Sequence, residues 1–198
     1  MKKNLLYLLL PLALLACNSN QNKSSVEKAD SENSSKSDTT KKYADTTAST
    51  AGTITVDEST AKFLVNVADV NMTEVQLGQM AKDKAVNQRV KDFGNMMVQD
   101  HTNAGNELRT LAAGKNVTLP TTPGNDHQKK IDDLSKKTGK DFDKAYMAMM
   151  EDGHESAIKD FKKNTDNKDP DVKAFVNKML PALQTHLDSA KAIRKSIK

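Results

Sequence analysis

NQRVKDFGNMMVQDHTNAGNELRTLAAG, residues 87 to 114, carries Val90, Phe93, Met97, Ala104, Leu108 and Leu111 in one row, with His101 in the middle of it. Steps of three and four put all seven side chains on one face of an α-helix, whereas a half-buried strand would alternate at every second residue. The stretch predicts an amphipathic helix over residues 87 to 113, with Gly114 as its stop. Such a face needs partners with the same period, because most helix stability in a protein comes from packing it.

Three further stretches supply them. Residues 57 to 85 open on the capping-box pattern Thr55-x-x-Glu58 and align Phe63, Val67, Val70, Glu74, Leu77 and Ala81. Residues 140 to 164 align Met147, Met150, His154, Ile158 and Phe161, with Phe142 and Tyr146 on the adjacent row. Asp169-Pro170 starts the last helix, proline being tolerated where the N–H is free anyway, and its row is Val172, Phe175, Met179, Leu183, His186, Ala190, Ile193 and Ile197. Pro181 lies inside it and predicts a kink. A loop with Pro120, Pro123 and Gly124, then a short helix near 126 to 137 ended by Gly139, joins the two halves. Val90-Lys91-Asp92-Phe93 and Val172-Lys173-Ala174-Phe175, each with a methionine four residues on, mark the halves as related hairpins. An aromatic content of 4% without tryptophan agrees with an all-α domain over residues 53 to 198, an antiparallel four-helix bundle with a short extra helix in the middle connection.

The N-terminus reads differently. Lys2 and Lys3 precede the apolar run from Leu5 to Leu15, which is too short to span a membrane and has the form of a secretion signal over residues 1 to 16. Leu14-Leu15-Ala16-Cys17 resembles the bacterial lipobox, so Cys17, the chain's single cysteine, is the expected lipidation site. Asn18 stands where aspartate would resemble an inner-membrane retention signal, and the location expected is the cell envelope, lipid-anchored to the outer membrane and facing the periplasm. Residues 17 to 52 are the lipidated cysteine and a polar stretch with hardly any apolar side chain, expected to be a disordered tether. Without Lys2 and Lys3 the chain has 28 basic against 26 acidic side chains, which does not suggest a nucleic-acid partner.

Each long helix carries one metal-ligand type on its apolar face: Glu74, His101, His154 and His186. If the helices run up-down-up-down, the four lie about 16, 21, 15 and 24 Å from a shared end, with His186 the outlier. Met97 and Met150, one turn before two of the histidines, are additional soft ligands on this reading. Thioether with imidazole suits copper, and carboxylate with imidazole suits iron, manganese or zinc. The competing reading is a structural polar layer with methionine filling the core. Asp100 and Glu107 point off the row and read as solvated, and His127 in the short helix reads as exposed. No serine or cysteine nucleophile with a base, phosphate-binding glycine loop or zincin pattern occurs, so no catalytic residue is assigned.

Six phrases recur in order with a family's spacing: Glu74-Val75-Gln76-Leu77-Gly78, Val90-Lys91-Asp92-Phe93, Met97-Val98-Gln99-Asp100-His101, Val117-Thr118-Leu119-Pro120, Phe142-Asp143-Lys144-Ala145-Tyr146-Met147 and Leu180-Pro181-Ala182-Leu183-Gln184-Thr185-His186-Leu187. Over residues 59 to 194 the chain resembles the exported bacterial "predicted outer membrane protein" family, domain of unknown function 4142. The resemblance implies a ferritin-like bundle and no established activity. Where family members have Asp-His, this chain has Gly153-His154, and only Glu151-x-x-His154 has the di-iron spacing, so a ferroxidase is not expected. Two functions follow: a non-enzymatic envelope module that binds a partner or ligand in stress or envelope maintenance, or a metal-handling protein with a Glu/His site in the bundle core.

Overall fold

The computed structural model describes residues 23–42 and 54–197. Six helices follow in order: α1 (Ser25–Lys42), α2 (Glu58–Lys84), α3 (Gln88–Gly114), α4 (Asn125–Ser135), α5 (Gly139–Lys162) and α6 (Pro170–Ser196). The four long amphipathic stretches and the short connecting helix are all present, within two residues of the expected bounds. Cys17 and the leader lie outside the described residues. Among the described residues no helix is long and apolar enough to cross a membrane.

Local chemistry explains the ends. The N-cap of α2 is Asp57, whose carboxylate accepts from the Thr60 N–H at 2.7 Å, so the Thr55-x-x-Glu58 pattern is not the cap used. Asp169 caps α6 as expected, accepting from Asp171 and Val172 N–H. Gly114 is still helical; the left-handed residue that turns the chain out of α3 is Asn116, at φ 54°. Through Pro181, α6 continues to Ser196.

Two apolar clusters occupy opposite ends of the bundle. One gathers the start of α2 (Leu64), the end of α3 (Leu108, Ala112), the end of α5 (Phe161) and the start of α6 (Val172, Phe175). The other gathers the end of α2 (Leu77, Ala81), the start of α3 (Val90, Phe93), the start of α5 (Phe142, Tyr146), the end of α6 (Ala190, Ile193) and Ile131 and Leu134 of α4. The helices therefore run up, down, down, up. Polar contacts agree: Val86 and Asn87 N–H donate to Asp143 at the start of α5, Arg89 reaches Ser196, and Lys115 pairs with Asp169 and Asp171. This corrects the up-down-up-down expectation. The connection through α4 is a full-length crossover that runs along α2, and the four long helices still pack against antiparallel neighbours. The echoed phrases sit at opposite ends, Val90 and Phe93 in one cluster and Val172 and Phe175 in the other.

The tether expectation is also corrected. Within residues 18 to 52, Ser25–Lys42 forms a helix packed against α2 and the crossover. Its start is a true capping box: Ser24 Oγ accepts from Glu27 N–H at 3.2 Å and Glu27 Oε2 accepts from Ser24 N–H at 2.7 Å. Docking uses few apolar atoms. Ala29 is buried, and the buried Asn33 amide both donates to the Thr118 carbonyl and accepts from the Thr118 N–H, each at 2.8 Å, as a neighbouring backbone would.

The crossover is held to α2 by Asp69. Its carboxylate accepts from the Gly124 N–H at 2.8 Å, at the otherwise uncapped start of α4, and pairs with His127 Nδ1 at 2.8 Å. His127 is thus half-buried and hydrogen-bonded, not exposed as expected, because the crossover folds back onto the helix that carries Asp69.

Candidate metal centre

Reversing the direction of α5 and α6 regroups the polar layer. Counted from the end where α2 meets α3, Glu74 lies about 15 Å deep, His101 about 20 Å, His154 about 22 Å and His186 about 15 Å, a spread of about 7 Å in place of about 9 Å. His101, His154 and His186 are all buried, and one ring nitrogen of each lies within 4.8 Å of the other two. Ring centroids stand 5.3 to 5.8 Å apart, so the rings surround a point and do not stack.

Their outer nitrogens decide the proton positions. His154 Nδ1 lies 2.8 Å from the Met150 carbonyl, which only accepts, so that nitrogen carries the hydrogen. His186 Nε2 donates to Asp100 Oδ2 at 2.8 Å. His101 Nδ1 lies 3.0 Å from Asn71 Oδ1, and the Asn71 amide is oriented by donating its NH₂ to the His101 carbonyl at 2.8 Å. With those protons assigned, His101 Nε2, His154 Nε2 and His186 Nδ1 are bare lone pairs, and these are the nitrogens left buried without a hydrogen-bond partner. Burial, reinforced by His154 and His186, holds His101 well below the usual imidazole range, and burial pushes His154 down to about 4, so both are neutral near pH 7.

Glu74 lines the same cavity, of about 440 Å³, but stands outside the histidine group. Its Oε2 is buried without a partner, and burial pushes its carboxyl up to about 8 against the opposing charge of Lys130. Met97 and Met150 do not join them. Both are fully buried in the apolar cluster with Phe93 and Tyr146, a turn away from the imidazoles, and Met150 contributes only its carbonyl. The methionines on the cavity wall are Met149 and Met179.

Two glycines inside helices make room for this arrangement. A Cβ at Gly105 would stand 2.6 Å from Asn71 Nδ2, and one at Gly153 3.2 Å from Glu74 Oε1. Each costs its helix about 1 kcal/mol relative to alanine. Asn71, Asp100, Gly105 and Gly153 escaped sequence reasoning because each acts across a helix interface. Asp100 in particular sits beside His101 in the chain but serves His186.

Three imidazoles, each with its outer N–H held by a carbonyl, an amide or a carboxylate, form the donor arrangement typical of transition-metal ligation. Nitrogens bound at 2.0–2.1 Å to a tetrahedral ion stand about 3.3 Å apart, so closing on a metal requires small rotations of the rings. No curated protein and no solved structure matches the chain. A family model described as Domain of unknown function (DUF4142) matches residues 45–193, a span that holds α2, α3, α5, all but the last turn of α6 and every residue of this layer, and leaves α1 outside. With about three quarters of its length matched, the chain belongs to the DUF4142 family.

Proposed function

We propose that the protein is a lipid-anchored envelope protein whose bundle binds a divalent transition-metal ion on His101, His154 and His186. The observation that carries this reading is the convergence of three buried, unprotonated nitrogens with no hydrogen-bond donor among them. A purely structural polar layer would pair its members, since each buried group left unsatisfied costs about 1–3 kcal/mol. Here the outer nitrogens are paired and the inner ones are not. Three neutral ligands and no cysteine suit zinc, copper, iron or nickel, and the missing protein ligand leaves one coordination position toward the cavity. The donor set contains no second carboxylate-histidine pair, which argues for a single ion.

Elemental analysis of the whole chain, purified without a metal-affinity tag, tests the reading. One equivalent of metal in the native chain, lost in the His101→Ala/His154→Ala double variant, is the expected result. A native chain that stays metal-free after challenge with zinc, copper, iron and nickel overturns it.

Lipid anchoring rests on the leader and Cys17, and would hold the bundle at an envelope membrane without a spanning helix. Labelled fatty acid should enter the expressed protein and be lost with Cys17→Ser; equal labelling of both would sink the anchor.

A further inference from the structure

Storage of a lone ion does not call for a large apolar chamber, yet the three bare nitrogens open onto one. The cavity of about 440 Å³ falls within the 300–1,000 Å³ typical of small-molecule sites. Its lining divides by chemistry. Phe63, Phe161, Phe175 and Leu183 belong to the apolar cluster at one end of the bundle, with Val67 and Met179 packed against it, whereas His101, His154, His186 and Glu74 form the polar layer; Asp152 and Asp160 also reach the cavity. Glu74 Oε2 is a further unpartnered buried atom of that layer.

From this division we propose that the cavity binds a carboxylic acid with an aliphatic tail, its head coordinated to the metal on the three histidines. This inference rests on the metal-binding reading above. Three imidazole ligands bring no charge of their own to a divalent ion, which favours an anionic oxygen donor in the remaining position. One carboxyl oxygen takes that position. The other meets Glu74 Oε2, with one proton between the two oxygens, so the orphaned carboxyl gains the partner the protein does not supply. The tail lies along Val67, Phe161, Phe175 and Leu183, where each methylene removed from water adds to the affinity. Affinity for straight-chain acids should therefore rise with chain length until the chamber is full. Alcohols of equal length lack both the charge and the second oxygen.

Cobalt(II) tests this, because its visible d–d absorption reports the donors on the ion. The whole chain is loaded with cobalt and titrated separately with acetate, hexanoate and hexanol. Hexanoate should shift the spectrum at a concentration at least tenfold lower than acetate, and hexanol should leave it unchanged. Leu183→Trp, which fills the chamber, should retain cobalt and abolish the advantage of hexanoate over acetate. Equal response to acetate and hexanoate overturns the role of the chamber. A spectrum unmoved by either acid overturns coordination of the head. If no cobalt spectrum forms at all, the metal-binding reading itself has failed, and the two failures are thereby distinguished.

Discussion

The sealed end of the bundle and the layer just beyond it are built on the same helices with opposite priorities. In the sealed end, Phe93, Phe142, Tyr146, Met147 and Met150 are buried with almost no exposed surface, and Phe142 stacks on Tyr146 with ring centroids 6.1 Å apart. About two turns away, the same α3 and α5 present imidazoles with bare nitrogens to an open chamber, and α2 presents an unpaired carboxyl. The first region maximises contact. The first leaves the Tyr146 hydroxyl without a partner, whereas the second gives up contact and leaves three imidazole nitrogens and a carboxyl oxygen unsatisfied, the pattern expected where stability has been exchanged for a binding site.

The largest test of this contrast is truncation on either side of it. Phe142→Ala should cost about 3–5 kcal/mol, the usual range for a fully buried aromatic ring whose site cannot collapse. Leu183→Ala, on a wall that already borders empty space, should cost about 2 kcal/mol, the low end for leucine. Urea unfolding of the metal-free chain at pH 7 measures both, and equal losses would erase the distinction.

Acid should act on the polar layer first. His154 titrates near 6.5 when unfolded and is held down to about 4 by burial, so the unfolded chain takes up its proton first as the pH falls. Its contribution is fully present above about pH 6.5 and is lost on descending to about pH 4, on the order of 3 kcal/mol for the native metal-free chain. His101 adds in the same direction. Glu74 has the opposite sign: its carboxyl is raised from 4.5 to about 8, so its contribution is present below 4.5 and lost as the pH rises toward 8. The two windows overlap between about pH 4.5 and 6.5, where their slopes oppose, so removing either group should expose the other: in melting temperature against pH, His154→Gln should leave the fall with rising pH and Glu74→Gln the fall with falling pH. Unchanged profiles would mean that these groups are hydrated in the folded chain.

The smallest effect concerns orientation. Asp100→Asn leaves His186 in place but weakens the partner that fixes its tautomer. Metal affinity should fall about 10–100-fold, with the unfolding midpoint of the metal-free chain nearly unchanged. A competition titration with a chelator reads this. An unaltered affinity would mean that Asp100 does not orient the ligand.

Much of the bundle was legible because helical periodicity is a local property. Val90, Phe93, Met97, Leu108 and their counterparts announce their inward faces within a single helix, and His101, His154 and His186 stand on those faces in the chain itself. Misreadings arose where the deciding contact lies far along the chain. Ser25–Lys42 read as a tether because a composition argument counts apolar area, and this helix docks mainly through the Asn33 amide on the Thr118 backbone, 85 residues away. The capping box at Ser24-x-x-Glu27 was a local signal that could have found it.

The methionines show the same limit more finely. Met97 and Met150 share a face with their histidines, but one helical turn is over 5 Å, enough to put a side chain into the apolar cluster and not the cavity.

By itself the sequence determined the four long helices and the short one that joins their halves, the faces they bury and the residue types available for a metal, since each depends on side chains a turn or so apart. Only the tertiary structure decided that α5 runs parallel to α3, because a crossover of this length can return the chain to either end of the bundle. On that direction depends which turns of α5 and α6 face His101, and with it the convergence of the three histidines. The bare nitrogens were decided there too, since a histidine's tautomer is set by the partner on its other nitrogen, and for His101 and His186 that partner comes from a different helix.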